Sequence, residues 1–268
     1  MTLTETAYAK INLALHVRRR RADGYHELET LFAFLDDGDR LTVEPADAFS
    51  LTIEGPFAKG LSAGEDNLVL RAARLFAGRN GISGGARFVL NRRLPIACGT
   101  GGGSADAAGV RRLRPRLGGG EPVDPLERGA DVPACVASVT CFGSGVGEKL
   151  EPVDGNALAG LAVLLVNPGV ACPTGPVFKA WDGIDRGALA PEDWMAGRND
   201  LEAPALSLHP EIGKVLAELR ESGARLVRMS GSGATCFGLY GSAGQRDAAV
   251  EQVRGLHPDW WLMAGRLR

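Results

Sequence analysis

No apolar run in the 268 residues approaches the roughly 20 needed to cross a bilayer. The opening Met1-Thr-Leu-Thr-Glu-Thr6 is polar and acidic, unlike a signal peptide. Cysteine is sparse: Cys98, Cys135, Cys141, Cys172 and Cys236 are odd in number and form no Cys-x-x-Cys pair. That argues for free thiols in a reducing compartment over a disulfide framework or a zinc site, and no metal ligand is assigned. A net charge of −2 lacks the basic excess of an electrostatic nucleic-acid binder. Internal repeats and low-complexity tracts are also missing. These absences predict a soluble, cytoplasmic protein with neither nucleic acid nor membrane as partner.

What is present is an ordinary globular composition, 45% hydrophobic and 23% charged, long enough for two modest domains or one large one. The densest feature is Leu94-Pro-Ile-Ala-Cys-Gly-Thr-Gly-Gly-Gly-Ser-Ala-Asp-Ala-Ala108, in which Gly99, Gly101, Gly102 and Gly103 fall within five positions. Glycine lets a ligand approach the backbone closely. Ser104 is a candidate helix cap, and Asp106 suits the positive end of the helix dipole. Bare N–H groups feeding a helix N-terminus form an anion site, most often for phosphate. A flexible linker would run on into polar sequence, whereas Phe88-Val-Leu before the loop reads as a strand and residues 105–110 after it as a buried helix start. The loop lacks the Gly-Lys-Ser/Thr ending of a P-loop, and its glycines are too bunched for a dinucleotide fingerprint. Physics alone gives a phosphate-binding loop of unspecified class.

Pro95-Ile-Ala-Cys-Gly-Thr-Gly-Gly-Gly-Ser-Ala-Asp-Ala-Ala108 resembles the second signature of the GHMP kinases. Ala9-Lys-Ile-Asn-Leu13 is similar to their first signature, and residues 225–240, with Ser230-Gly-Ser-Gly233, to their third. Asp23-Gly-Tyr-His26 narrows the resemblance to the kinases acting on 4-diphosphocytidyl-2-C-methyl-D-erythritol in the non-mevalonate isoprenoid route. Three signatures in order plus that element span nearly the whole chain. The resemblance implies an α+β fold of two domains, residues 1–154 ribosomal-protein-S5-like with a left-handed crossover and residues 155–268 ferredoxin-like. It also implies transfer of the ATP γ-phosphoryl group, with Mg²⁺, to a tertiary 2-hydroxyl of a small-molecule substrate, by a monomer or homodimer. By the same resemblance Asp131, in Gly129-Ala-Asp-Val-Pro133, is the general base and Lys10 its partner. Pro95, Ile96, Ala97, Cys98, Gly99, Thr100, Gly101, Gly102, Gly103, Ser104 and Ala105 face the nucleotide, with Asn67 near adenine and Ser104 within reach of the metal. Asn12, Tyr25, His26 and Thr174 hold the acceptor, Tyr25 and His26 its cytidine end.

Read from the residues alone, several of these positions have plainer explanations. Lys10, Asn12 and Ala14 share one face of a strand over residues 4–17, whose polar face could simply be wet. Asp131 precedes a Val-Pro step that favours extended backbone and would suit a tight turn or a cap. Asp66 or Asn67 caps a helix over 66–77, and Thr174 fits turn chemistry. Strands are expected at 29–34 and 39–44 around an Asp36-Asp-Gly-Asp39 turn, then at 49–54, 86–91, 161–167 and 260–267, with helices at 211–221 and 243–256. Residues 18–22 read as a basic loop. Pro115 falls inside the helix after the glycine loop, and the next helix is reduced to 124–128, a departure from the family pattern. Two other functions stay open here: another GHMP kinase of homoserine or mevalonate type, and a nucleotide-binding protein without catalysis.

Overall fold

The computed structural model describes residues 2–81, 83–96, 99, 102–113 and 131–268. Two long antiparallel strands, β1 (Leu3–Arg20) and β2 (His26–Ala46), form the spine of the first sheet. β3 (Ser50–Glu54), β4 (Gly85–Asn91), β5 (Cys141–Ser144) and β6 (Lys149–Pro152) bring it to six strands. β4 pairs with the second half of β2 and β5 with the first. β3 runs parallel to β4, and α1 (Leu68–Arg79) connects the two. The second sheet is formed by β7 (Ala162–Asn167), β8 (Leu226–Met229), β9 (Cys236–Tyr240) and β10 (Trp261–Arg266), in the order β10-β7-β9-β8. This is a mixed α+β architecture.

The layers follow from which faces are apolar. On the first sheet, Leu41, Val43, Phe88 and Leu90 pack beneath α1 and α2 (Gly102–Leu113). The opposite face of β1 and β2, through Ile11, Leu13, Leu31 and Ala33, meets Val163, Leu165, Phe237 and Leu239 of the second sheet. The alternate residues of β7, Ala162, Leu164 and Val166, turn away to a third layer with α5 (Glu202–Leu208), α6 (Glu211–Glu221) and α7 (Ala243–Leu256). Burial on both faces explains why β7 reads as an unbroken apolar run. Both α6 and α7 occupy their expected spans, α6 by its apolar spacing.

Five local expectations are corrected. Residues 18–20 are no loop but the end of β1, where Arg19 pairs with Glu27 and Arg20 with His26. Asp36–Asp39 is no turn but part of the continuous β2, where the pairing slips between Tyr8↔Gly38 and Lys10↔Phe34. This is a bulge that Gly38 allows, because a Cβ there would lie 2.0 Å from the Ala7 carbonyl oxygen. The polar face of β1 is not wet, since Lys10 and Asn12 are buried. Ser104 is the third residue of α2 and so sits past the cap position. The Val132-Pro133 step is helical, in the first turn of α3 (Val132–Ala137), where the missing proline N–H would have had no helical partner. Pro115, the expected helix at 124–128, and the nucleotide-loop residues Ala97, Cys98, Thr100 and Gly101 lie outside the described residues. Cys135, Cys141, Cys172 and Cys236 are free and buried. Among the described residues no helix is long and apolar enough to cross a membrane.

Candidate active site

β1 brings Lys10 and Asn12 to the middle of the molecule between two pairing slips, one on each side. Lys10 Nζ lies 3.1 Å from Asp131 Oδ2 and 3.0 Å from Asn12 Oδ1, with the Phe32 ring centroid 5.3 Å away. Asn12 is locked in turn: its Nδ2 donates to Thr30 Oγ1 at 2.8 Å and its backbone N–H to Ser230 Oγ at 3.1 Å. Asp131 occupies the N-cap position of α3, yet its carboxylate makes no capping bond and reaches for Lys10 instead. The Lys10 side chain is 4% exposed and that of Asp131 34%. The ammonium is therefore fixed inside the protein while the carboxylate opens onto solvent.

The glycine loop approaches the same place. Gly99 has φ of 76°, and a Cβ there would lie 2.3 Å from the Ser230 carbonyl oxygen. Ser230 Oγ donates to the Gly99 carbonyl at 3.1 Å. The Ser230–Gly233 turn thus faces the site rather than merely closing a hairpin, joining the loop to Asn12 on β1. Beyond the loop α2 begins at Gly102, and the first N–H groups of a helix have no partner within it. Gly103 is exposed there and Ser104 half-buried.

A cleft of about 1290 Å³ collects most of the expected residues: Lys10, Asn12 and Asp131, then Tyr25, His26 and Thr174, and also Asn67, Pro95, Ile96, Gly99 and residues 102–104. Among the described residues Ala105 is the exception, buried against Ala7, Phe32 and Phe34 in the core. Asn67 caps α1, accepting from the Val69 N–H at 2.9 Å while its Nδ2 donates to the Ser62 carbonyl at 2.7 Å. Thr174 opens α4 (Thr174–Lys179), its hydroxyl 3.0 Å from Ser232 Oγ. Tyr25 is 64% exposed at the rim. The His26 ring packs 4.9 Å from Phe178 and edge-on to Trp181 at 5.8 Å. Burial, and then the Arg20 charge, hold its pKa below the usual histidine value, so it is neutral at pH 7. Its Nε2 is buried without a hydrogen-bond partner. Sequence reasoning missed Phe178, although it stands four residues after Thr174 on one helix face.

Residues 184–259 match the family model for the GHMP kinase C-terminal region. A protein of Novosphingobium aromaticivorans named 4-diphosphocytidyl-2-C-methyl-D-erythritol kinase is 56% identical over 276 residues, spanning 100% of this chain and 94% of its own. The chain belongs to the 4-diphosphocytidyl-2-C-methyl-D-erythritol kinase family. A crystal structure of a 4-(cytidine 5'-diphospho)-2C-methyl-D-erythritol kinase superposes with a TM-score of 0.84 at 37% identity, covering 99% of each chain. The homoserine kinase of Cytophaga hutchinsonii, at 16% identity and a TM-score of 0.70 over 99% of this chain and 95% of its own, shares the fold alone. Members of the 4-diphosphocytidyl-2-C-methyl-D-erythritol kinase family are GHMP small-molecule kinases, and the two-domain α+β fold is theirs.

Proposed function

We propose that this chain transfers the γ-phosphoryl group of ATP to the 2-hydroxyl of 4-diphosphocytidyl-2-C-methyl-D-erythritol, acting in the cytoplasm within isoprenoid precursor synthesis. The observation that carries the reading is the Lys10–Asp131 pair, 3.1 Å apart beside the start of α2, in a chain whose full-length relatives bear that kinase's name. A tertiary alcohol is a hindered nucleophile, so both positioning and proton removal matter. Asp131, open to the cleft, takes the hydroxyl proton. Lys10 orients it and offsets negative charge on the transferring group. The N–H groups of Gly102, Gly103 and Ser104 and the positive end of α2 receive the ATP phosphates. Pro95, Ile96, Gly99 and Asn67 line the rest of the nucleotide side.

Asn12 and Thr174 hold the erythritol portion, and Tyr25 and His26 the cytosine. A neutral His26 with a free buried ring nitrogen beside Phe178 suits a pyrimidine, which wants stacking and an edge hydrogen bond. Among the described residues no three His, Cys, Asp or Glu gather into a metal cage. Mg²⁺ would be carried largely by nucleotide oxygens and water, with the Ser104 hydroxyl as an added ligand; the ion would offset phosphate charge. Residues 1–154 then form the phosphate-loop domain and 155–268 the domain that closes the cleft, a division supported by the two sheets. Homoserine and mevalonate kinases are less well supported, at 16% and 12% identity. A binding-only protein is disfavoured by the assembled Lys10–Asp131 pair.

The test is ADP release coupled to a spectrophotometric readout, with ATP–Mg²⁺ and the cytidylated alcohol, and with homoserine and mevalonate in parallel. Turnover is expected with the first acceptor alone. Asp131→Asn should lower kcat by about 10² to 10⁴ while remaining folded; normal turnover in that variant would remove Asp131 as the base.

A further inference from the structure

Beneath the start of α2 three charged side chains from three elements meet out of water. Arg92, just past β4, donates through Nη1 alone to Asp39 Oδ2 at 2.7 Å and to Asp106 Oδ2 at 2.6 Å. Asp39 belongs to β2 and is wholly buried; Arg92 and Asp106 are each 4% exposed. The other Asp39 oxygen accepts the N–H groups of Arg93 and Leu94, at 2.5 and 2.8 Å, and so pins the chain where it enters the glycine loop. The guanidinium lies directly against Gly102, where a Cβ would stand 2.2 Å from Nη2. Arg92 and Asp106 reach the wall of the cleft, whereas Asp39 does not. Arg92 Nε is closed to solvent, so that donor serves no ligand.

Resting on the kinase reading above, we propose that Arg92 is a positioning residue for the nucleotide phosphates, holding the first turn of α2 and the loop entrance in one rigid arrangement through Asp39 and Asp106. The two carboxylates have unequal parts. Burial pushes the Asp106 carboxyl up to about 8, opposed by Arg92 and reinforced by the Asp39 charge, and its Oδ1 is buried without a hydrogen-bond partner, whereas both Asp39 oxygens accept N–H donors. One ionised carboxylate then balances one guanidinium. The helix end that meets the phosphates has no net negative charge beneath it.

The unequal parts give the test. Asp39→Asn removes the ionised partner from a position that no ligand in the cleft can touch, whereas Asp106→Asn replaces a protonated acid with a neutral isostere. Binding of a non-hydrolysable ATP analogue is followed by calorimetry, with KM for ATP and for the cytidylated acceptor measured separately. For Asp39→Asn the analogue Kd and the ATP KM should rise at least tenfold while the acceptor KM stays within twofold. Asp106→Asn keeps an oxygen acceptor for Nη1 and should raise the analogue Kd and the ATP KM severalfold less than Asp39→Asn does. An Asp39→Asn variant that melts earlier but binds the analogue like the parent would reduce the cluster to a structural role and overturn the proposal, as would equal losses in both variants. If Asp39→Asn does not fold, Arg92→Lys decides: it keeps the charge without the planar group under Gly102, and unchanged analogue affinity overturns the proposal. A parent chain that fails to bind the analogue would overturn the kinase reading as well, which separates the two failures.

Discussion

Changing Asn12 to aspartate exchanges an amide nitrogen for an oxygen and leaves the shape of the site intact. Lys10 Nζ lies 3.0 Å from Asn12 Oδ1 and 3.1 Å from Asp131 Oδ2. With an effective dielectric of about 20, a unit charge pair at that separation is worth about 5 kcal/mol, so two carboxylates would compete for one ammonium. The Asp131 side chain is 34% exposed, and water discounts its share. Asn12 is 3% exposed and keeps more of its own. The new carboxylate wins, Lys10 turns to it, and the trio passes from neutral to a net negative charge where a phosphoryl group must arrive. Loss of about 3 kcal/mol of transition-state stabilisation corresponds to roughly 100-fold in rate. The Nδ2 donor to Thr30 is also lost, costing about 1 kcal/mol of stability and about 2–4 °C of melting temperature. Asn12→Asp should therefore show kcat at least about 100-fold down in the coupled ADP assay, with a nearly parental thermal melt. A kcat within threefold of the parent, at saturating ATP and acceptor, would refute the view that Lys10 must stay committed to Asp131.

Three further outcomes are expected. Asn67→Ala removes the cap on α1 and should cost about 1 kcal/mol, seen as a lower melting temperature in calorimetry; an unchanged melt would show that the cap is not needed. Phe178→Ala strips the ring beside His26 and should raise the acceptor KM by about tenfold, with the ATP KM unchanged, from the worth of one aromatic contact; an equal rise in both would count against a cytosine-facing role. Asp106 has a folded pKa of about 8 against about 4 unfolded, so its contribution to stability is full below about 4 and is lost as pH rises through about 8. Denaturant titrations from pH 5 to 9 should show Asp106→Asn gaining on the parent as pH rises, and parallel profiles would contradict the protonated state.

The elements that could be read from sequence are those whose cause is local. The apolar spacing of α6, the cap at Asn67 and the strand entering the glycine loop each depend on a few neighbouring residues. Lys10 and Asn12 could be read as polar but not as buried, because their cover comes from α3 and from the Ser230 turn, far along the chain. Asp131 could be read as a base only through family resemblance. On its own terms it looked like a cap, and the carboxylate forgoes capping because an ammonium lies within reach. The Asp39–Arg92–Asp106 cluster had no sequence signal at all: its members are 53 and 14 residues from the arginine, on separate elements. Asp36–Asp39 looked like a turn because turn residues and bulge residues are the same types, and only the partner strand distinguishes them.

β1 belongs to the first sheet by pairing, yet much of its middle is tied to the second half of the chain. Leu15 exchanges backbone hydrogen bonds with Arg198 and Asp200, the Val17 N–H donates to the Asp200 carboxylate, and the buried Arg228 guanidinium donates to the Leu13 carbonyl. These links close loops of some two hundred residues, the slowest contacts for a chain to find. The segment bearing Lys10 and Asn12 is synthesised well before Asp200, Arg228 and Ser230, its partners in the second half of the chain. Catalytic competence must then arrive late and all at once: a nascent chain halted before residue 230 could build much of the first sheet and still hold no finished site.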